Sequence, residues 1–377
     1  MRHEVTHIHR DRNKVTVRDL SNDTVFDQEY EKLIIGTGAR AQKPDMPGTG
    51  LAGIYFMKQL QDALDIREFI KKEKPRRVVI MGGGYIGLEA SEAFGRLDMD
   101  VTLVEARPRI MEIMDEDMSE VIADEMRKRS VKILTGRKVI GFEGNGRVRE
   151  VLLDDGHSLE ADFVLTSIGV VPNSEIAGEA GLELGEKSAV KVDEYLKTND
   201  PDIYAAGDCS LVFHRVLKEY VYIPLALGSN RQGRMCGENI VAELAGKQMK
   251  PFPGILGTAV TKYFDCEIGK TGIGQTEIKR YNLEHIGSVK VKAGNLPGYY
   301  PGASDMWVKL FFEDDSKILV GGQIVGKGGS VLRLDAMVAA ISARMSLNDV
   351  YSLDMVYAPP FSTVWNPILI AARIGMR

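Results

Sequence analysis

The stretch RVVIMGGGYIGLEASEAFGRLDMDVTLVE, residues 77–105, decides the fold. Arg77-Val-Val-Ile-Met reads as a strand, Gly82-Gly-Gly-Tyr-Ile-Gly87 as a glycine turn, and Leu-Glu-Ala-Ser-Glu-Ala-Phe as the start of a helix. A second apolar strand, Val101-Thr-Leu-Val, ends at Glu105. This is the layout of a dinucleotide phosphate loop: Gly82 permits the tight turn, Gly84 lets the backbone approach a pyrophosphate, and Gly87 allows close helix packing. Glu105 lies 23 positions after Gly82, where a ribose-binding carboxylate belongs. A lone G-x-G-x-x-G is a weak signal. The preceding strand, the following helix and the acidic partner make this one specific.

Working outward, residues 138–169 (KVIGFEGNGRVREVLLDDGHSLEADFVLTSIG) share a pattern with residues 4–38 (EVTHIHRDRNKVTVRDLSNDTVFDQEYEKLIIGTG). Each reads as a strand, a polar turn, an alternating strand, a second turn and an apolar strand ending at glycine, followed by a proline-containing loop. Two copies of one dinucleotide-binding fold are implied. Gly82 precedes the closing Gly169 by 87 residues, whereas only 37 residues precede Gly38 and none of them forms such a loop. The first copy is therefore expected to lack the strand, phosphate loop and helix that should open it. From about residue 256 the pattern changes to alternating strands (Trp307-Val-Lys-Leu-Phe-Phe; Ile318-Leu-Val-Gly-Gly-Gln-Ile-Val), a helix-like segment over 336–345 and a tail rich in proline and aromatics. That part reads as a separate α+β domain.

Composition bounds the function. A chain of 377 residues, 44% hydrophobic and 27% charged, can bury the cores of two or three domains. A net charge of -5 gives no basic footprint for nucleic acid. The charged start lacks a secretory signal, and no uninterrupted apolar run of about 18 residues occurs, so no membrane span and a cytoplasmic location are expected. Cys209, Cys236 and Cys266 lack C-x-x-C spacing, which argues against a metal site or a disulfide framework and favours small buried residues.

With these pieces in place the sequence resembles the pyridine nucleotide-disulfide oxidoreductases, in particular the coenzyme A disulfide reductases, NADH oxidases and persulfide reductases. The resemblance covers essentially the whole chain. Its most specific marks are Ile34-Ile-Gly-Thr-Gly-Ala39, Tyr204-Ala-Ala-Gly-Asp208, Gly298-Tyr-Tyr-Pro-Gly302 and Tyr357-Ala-Pro-Pro-Phe361.

The resemblance implies an α/β fold of two Rossmann-like domains, the first incomplete, plus a C-terminal α+β dimerisation domain. It implies an FAD-binding domain at 1–57 and 175–255, an NAD(P)H-binding domain at 58–174 and dimerisation through 256–377. Thr37, Gly38, Gly207, Asp208, Ser229 and Asn230 would serve FAD, with Asp208 accepting from a ribityl hydroxyl and a helix opening near Asn230 aimed at the pyrimidine; the alternative for Asp208 is a plain helix cap. Gly82, Gly84, Gly87, Glu105 and Gly169 would serve NADH, with NADPH a further option should Arg107 and Arg109 offset the Glu105 charge. Tyr85 resembles a gate over the flavin, or else a packed turn tyrosine. Tyr299 or Tyr300, and Tyr357, resemble tyrosines that reach a partner's site in a homodimer, where buried interface tyrosines would look the same.

The activity implied is hydride transfer from NADH to flavin and on to coenzyme A disulfide, a persulfide or oxygen. A non-catalytic nucleotide-binding fragment and a reductase component of an electron-transfer pair are the alternatives. None of the three cysteines occupies the family's redox motif, which belongs to the segment the first copy is expected to lack.

Overall fold

Phe163-Val-Leu-Thr166 has no polar face because it runs between two other strands of a sheet covered on both sides, and all four residues are buried. The computed structural model describes residues 2–377, in two compact units, one formed by the chain up to Arg40 with Val170–Gly257 and the other by Ala41–Gly169 with Thr258–Arg377.

In the second unit a five-stranded parallel sheet runs in the order Ile54–Phe56, Phe163–Thr166, Arg77–Met81, Asp100–Glu105, Lys132–Thr135. Val78, Ile80, Leu103, Phe163 and Leu165 form its core with Leu88 and Phe94 of helix Tyr85–Gly95 and Met118, Ile122 and Met126 of helix Glu116–Arg127. The same unit holds an antiparallel sheet in the order Ala259–Tyr263, Cys266–Gly272, Leu319–Gly326, Asp305–Glu313, Ile286–Gly294. Helix Leu334–Ser342 packs on it, beginning two residues before and ending three residues before the helix-like segment expected over 336–345.

Buried polar groups tie this antiparallel sheet to the helix at 116–127. Asp115, almost fully buried, accepts from Gln323 Nε2 at 2.9 Å and lies 2.7 Å from Lys309 Nζ, which also reaches Asp117 at 2.9 Å. Breaking one partner of such a set would strand a buried charge.

In the first unit the strand Leu33–Ile35 pairs in parallel with Ile203–Ala205, Leu33 opposite Ile203. An antiparallel meander, His3–His9, Lys14–Asp19, Val25–Glu29, precedes it, and the helix Ala226–Leu244 follows a short hairpin. The second unit carries the matching meander, Val139–Glu143, Glu150–Leu153, Ser158–Glu160, ahead of Phe163–Thr166. Each repeat thus has one strand more than its pattern predicts. The extra strands, Val25–Glu29 and Ser158–Glu160, are short and bury no residue, so no hydrophobic period marks them.

Candidate functional site: two nucleotide loops and a tyrosine-bearing surface

The glycine loop of the second unit is determined by close approach of backbone to backbone. Gly82 has φ +108°, and a Cβ there would lie 2.5 Å from the Ser167 carbonyl oxygen. At Gly87 a Cβ would lie 2.0 Å from the Gly82 carbonyl oxygen. Gly87 therefore seats the first helical turn on its own loop, a more local task than helix packing. Gly84 is the N-cap of the helix Tyr85–Gly95, and nothing stands within 4 Å of where its Cβ would be.

Leu88 is the first helix residue here whose N–H returns to the loop, to the Gly84 carbonyl. The preceding N–H groups open onto the space beside Gly84, as an anion site requires. This open cradle fits a pyrophosphate.

Glu105 closes the loop from the neighbouring strand. One carboxylate oxygen accepts the Gly83 N–H at 2.7 Å and the other the Arg107 N–H at 2.7 Å. Each oxygen retains acceptor capacity for a hydroxyl. Arg107 pairs with Glu112 at 3.5 Å. Arg109 is turned away from Glu105, donating to the Met114 and Glu112 carbonyls and to Thr276 Oγ1. Of the two arginines expected to temper the Glu105 charge, Arg109 is thus already engaged elsewhere.

Ser167, which the sequence reading passed over, braces the loop from the adjacent strand end by donating to the Met81 or Gly82 carbonyl, both at 3.1 Å. Its position ahead of Gly169 was the available signal. Gly169 has φ +119°, with Gln42 its nearest neighbour at 3.7 Å from a built Cβ. Tyr85 packs its ring on the core, and its hydroxyl is buried with no hydrogen-bond partner among the described residues. Burial, with the nearby Glu277 and Glu89 carboxylates, pushes that phenol well above the ordinary tyrosine range.

In the first unit, the Asp208 loop sits over a helix start. Gly207, at φ +88°, donates its N–H to Gln232 Oε1 at 3.0 Å, and a Cβ there would lie 3.5 Å from Ser229 Cβ. Ser229 Oγ donates to Asp208 Oδ1 at 2.7 Å or to the Leu225 carbonyl at 3.1 Å. The helix begins at Ala226, so Asn230 stands exposed in its second turn. The N–H groups that face outward are those of Ala226–Gly228, one turn earlier than the sequence reading placed them. The extended Leu225, just after Pro224, is the N-cap.

Gly38, at φ +66°, and Thr37 are zipped to Asn173: Thr37 Oγ1 donates to the Asn173 carbonyl, Asn173 Nδ2 donates to the Thr37 carbonyl at 3.0 Å, and the Asn173 N–H donates to the Gly38 carbonyl at 2.9 Å. A carboxylate, a hydroxyl and an outward helix start around a glycine turn suit the polar part of a flavin nucleotide. Gln232 and Asn173 are the supporting residues that sequence reasoning missed, since an amide inside a helix and one after a proline carry no periodic signal.

All three cysteines are buried. Cys209 Sγ donates to the Ala206 carbonyl at 3.3 Å or that of Ile35 at 3.4 Å, and burial pushes the Cys236 and Cys266 thiols up to about 12. Among the described residues no cluster of three or more His, Cys, Asp or Glu side chains could hold a metal, and no helix is long and apolar enough to cross a membrane.

In the second unit, Tyr299 is 78% exposed and Tyr357 50% exposed, while Tyr300 is half-buried in a turn. Phe361, Val364 and Trp365 are exposed beside Tyr357 in sequence.

Residues 1–233 match the sequence model of the pyridine nucleotide-disulphide oxidoreductases, and residues 258–367 match that of their dimerisation domain. The chain belongs to the pyridine nucleotide-disulphide oxidoreductase family. Among family members it is 36% identical over 366 residues to an NAD(P)H sulfur oxidoreductase (CoA-dependent) from Pyrococcus abyssi, covering 97% of this chain and 79% of that one. To a coenzyme A disulfide reductase of Staphylococcus epidermidis it is 32% identical, over 96% of this chain and 79% of the relative. The solved structure of an NAD-dependent persulfide reductase from A. fulgidus superposes with a TM-score of 0.94 at 32% identity, covering 99% of this chain and 68% of the other. These oxidoreductase relatives share the α/β fold with its C-terminal dimerisation domain.

Proposed function

We propose that this chain is an FAD-dependent NAD(P)H oxidoreductase that passes electrons from NADH to a coenzyme A disulfide or persulfide. The observation that carries the reading is the open cradle at Gly82, Gly84 and Gly87 with the Glu105 carboxylate docked on the Gly83 N–H. When bound, the flavin would accept hydride from the nicotinamide and return two electrons to the sulfur acceptor. The first-turn N–H groups of the helix Tyr85–Gly95 hold the NADH pyrophosphate, and Glu105 takes the ribose hydroxyls and disfavours a 2′-phosphate.

Gly169, bare of a side chain, leaves room for the nicotinamide, and Tyr85 covers the flavin until nicotinamide arrives. Thr37, Gly38, Gly207, Asp208, Ser229 and Asn230 line the flavin's place. Functionally, residues 1–40 and 170–257 form the FAD domain, 41–169 the NAD(P)H domain and 258–377 the dimerisation domain; the expected boundary at residue 57 moves back because the strand Ile54–Phe56 pairs with Phe163–Thr166 in the NAD(P)H sheet. The exposed aromatic surface near Tyr357 closes a twofold homodimer. There Tyr299 or Tyr300 and Tyr357 bind the thiol substrate and supply its proton.

The test is to reconstitute the purified chain with FAD under anaerobic conditions and add NADH. Bleaching of the flavin by NADH in preference to NADPH, then its return on adding coenzyme A disulfide, supports the reading. A return driven only by oxygen makes the protein an oxidase, and a chain that takes up neither FAD nor NADH is no enzyme of this kind.

A further inference from the structure

The two tyrosine-bearing segments of the second unit are held by one side chain that no sequence motif singles out. Arg333 Nη2 donates to the Asn295 carbonyl at 2.9 Å and to the Phe361 carbonyl at 2.8 Å, and Nη1 lies 4.0 Å from Met306 Sδ. Asn295 opens the loop that presents Tyr299 and Tyr300, and Phe361 ends the segment that presents Tyr357. Among the described residues Arg333 has no carboxylate within ion-pair distance. Burial holds its pKa below the ordinary arginine range, and its hydrogen bonds to oxygen run to the two backbone carbonyls.

A guanidinium suits that task, because its planar fork presents several donors in fixed directions. Arg333 is itself fixed from behind: Glu267 accepts the Gly329 N–H at 2.9 Å and the Val331 N–H at 3.0 Å, locking the turn that delivers it. That turn needs two successive left-handed residues, Gly328 at φ +63° and Gly329 at +80°. Asn295 Nδ2 donates to the Lys327 carbonyl at 3.1 Å, so the loop base is anchored to the same turn. Ser304 and Ser362, at the far ends of the two segments, have buried hydroxyls without partners among the described residues. Asn295 Oδ1 accepts the Ser304 N–H at 2.8 Å and closes the base of its own loop, which leaves Arg333 as the side chain that links this base to the 357–361 segment.

We propose that Arg333 is a positioning residue that sets the spacing between the 295–304 loop and the 357–361 segment, and through it the substrate-binding geometry of their tyrosines. The inference rests on the reading of those tyrosines given under Proposed function. Its test uses the full chain in two measurements, hydrogen exchange of amides 295–304 and 357–362, and binding of coenzyme A disulfide followed by tryptophan fluorescence.

In R333M both segments are expected to exchange faster together, and coenzyme A disulfide to bind about tenfold more weakly. In a Tyr357→Phe background the same change should add less than about twofold, because it acts through that tyrosine. Unchanged exchange, accelerated exchange with unchanged binding, or additive losses in the double variant each overturn the proposal. Should R333M fail to fold, R333K carries the test: a single ammonium in place of the fork is expected to weaken binding about threefold, and binding equal to wild type overturns the proposal. A wild-type chain that binds no coenzyme A disulfide instead defeats the reading of the tyrosines, and the role of Arg333 falls with it.

Discussion

Replacing Gly87 by alanine tests the phosphate loop at its tightest contact. The added Cβ would lie 2.0 Å from the Gly82 carbonyl oxygen and 3.1 Å from Ser167 Oγ, so loop and helix must part by about 1 Å. Overpacking of this kind costs about 1–3 kcal/mol, and the obstructing atom here is backbone, which cannot rotate aside. The same displacement carries the first-turn N–H groups away from a bound pyrophosphate. With each charge-assisted hydrogen bond worth about 1.5–3 kcal/mol, loss of even one weakens NADH by roughly tenfold to a hundredfold.

Gly95, at the far end of the same helix, is the internal control, since nothing stands within 4 Å of its Cβ position and its φ is not positive. Gly95→Ala should stabilise by about 0.5–1 kcal/mol and leave NADH affinity within about twofold. The assay is NADH fluorescence titration beside thermal unfolding of both variants. A Gly87→Ala protein that melts with the Gly95→Ala protein and binds NADH like wild type refutes the steric account of the loop.

Glu105→Ala should raise the KM for NADH about tenfold or more while sparing NADPH, because it removes a hydroxyl acceptor and a like charge together; steady-state kcat/KM for both cofactors checks this, and equal losses would discard the charge argument. The Arg77 side chain, helped by the Arg77 and Arg76 N–H groups and opposed by burial, holds Asp162 down to about 2. Its folded pKa lies below the unfolded one, so the associated stability, on the order of 2 kcal/mol, is present above about pH 4 and lost between about pH 4 and 2. Thermal melts across that window should show the loss, and Arg77→Met should flatten it. Cys236 and Cys266 should resist an aromatic disulfide reagent at pH 8 until denaturant is added, and Cys209→Ser should leave NADH-dependent flavin reduction intact; rapid labelling of the folded chain would contradict their burial.

How far the sequence carries depends on the kind of constraint at each residue. Gly82 and Gly87 were legible because a steric prohibition is written in residue type, and the strand Phe163–Thr166 because Phe163-Val-Leu has no polar alternative. Glu105 was legible by spacing, but its two backbone partners were not, since hydrogen-bond geometry leaves no mark on composition. The helix opening that the resemblance implies near Asn230 lies at Ala226, and no side-chain signal marks it, because Leu225 caps it with backbone conformation alone, lacking the Ser, Thr, Asp or Asn that announces most helix starts. The strands Val25–Glu29 and Ser158–Glu160 escaped because they bury nothing. Arg109, read as a neighbour of the ribose, faces carbonyls that lie three and five residues ahead of it. Ser167, Gln232, Asn173 and Arg333 act on backbone groups distant in sequence, and only the folded chain brings those together.

The pairing of Leu33 with Ile203 has a consequence for how the protein is made. The two strands are 170 residues apart, and all of Ala41–Gly169, a large part of the other unit, is translated between them. At about 5–20 residues per second, the apolar Leu33–Ile35 strand waits roughly ten to thirty seconds on the ribosome for its partner. During that interval its backbone is an open template for any neighbouring chain. Slower elongation, or crowding of nascent chains on one message, would therefore lower the yield of native protein without changing the stability of the molecules that succeed.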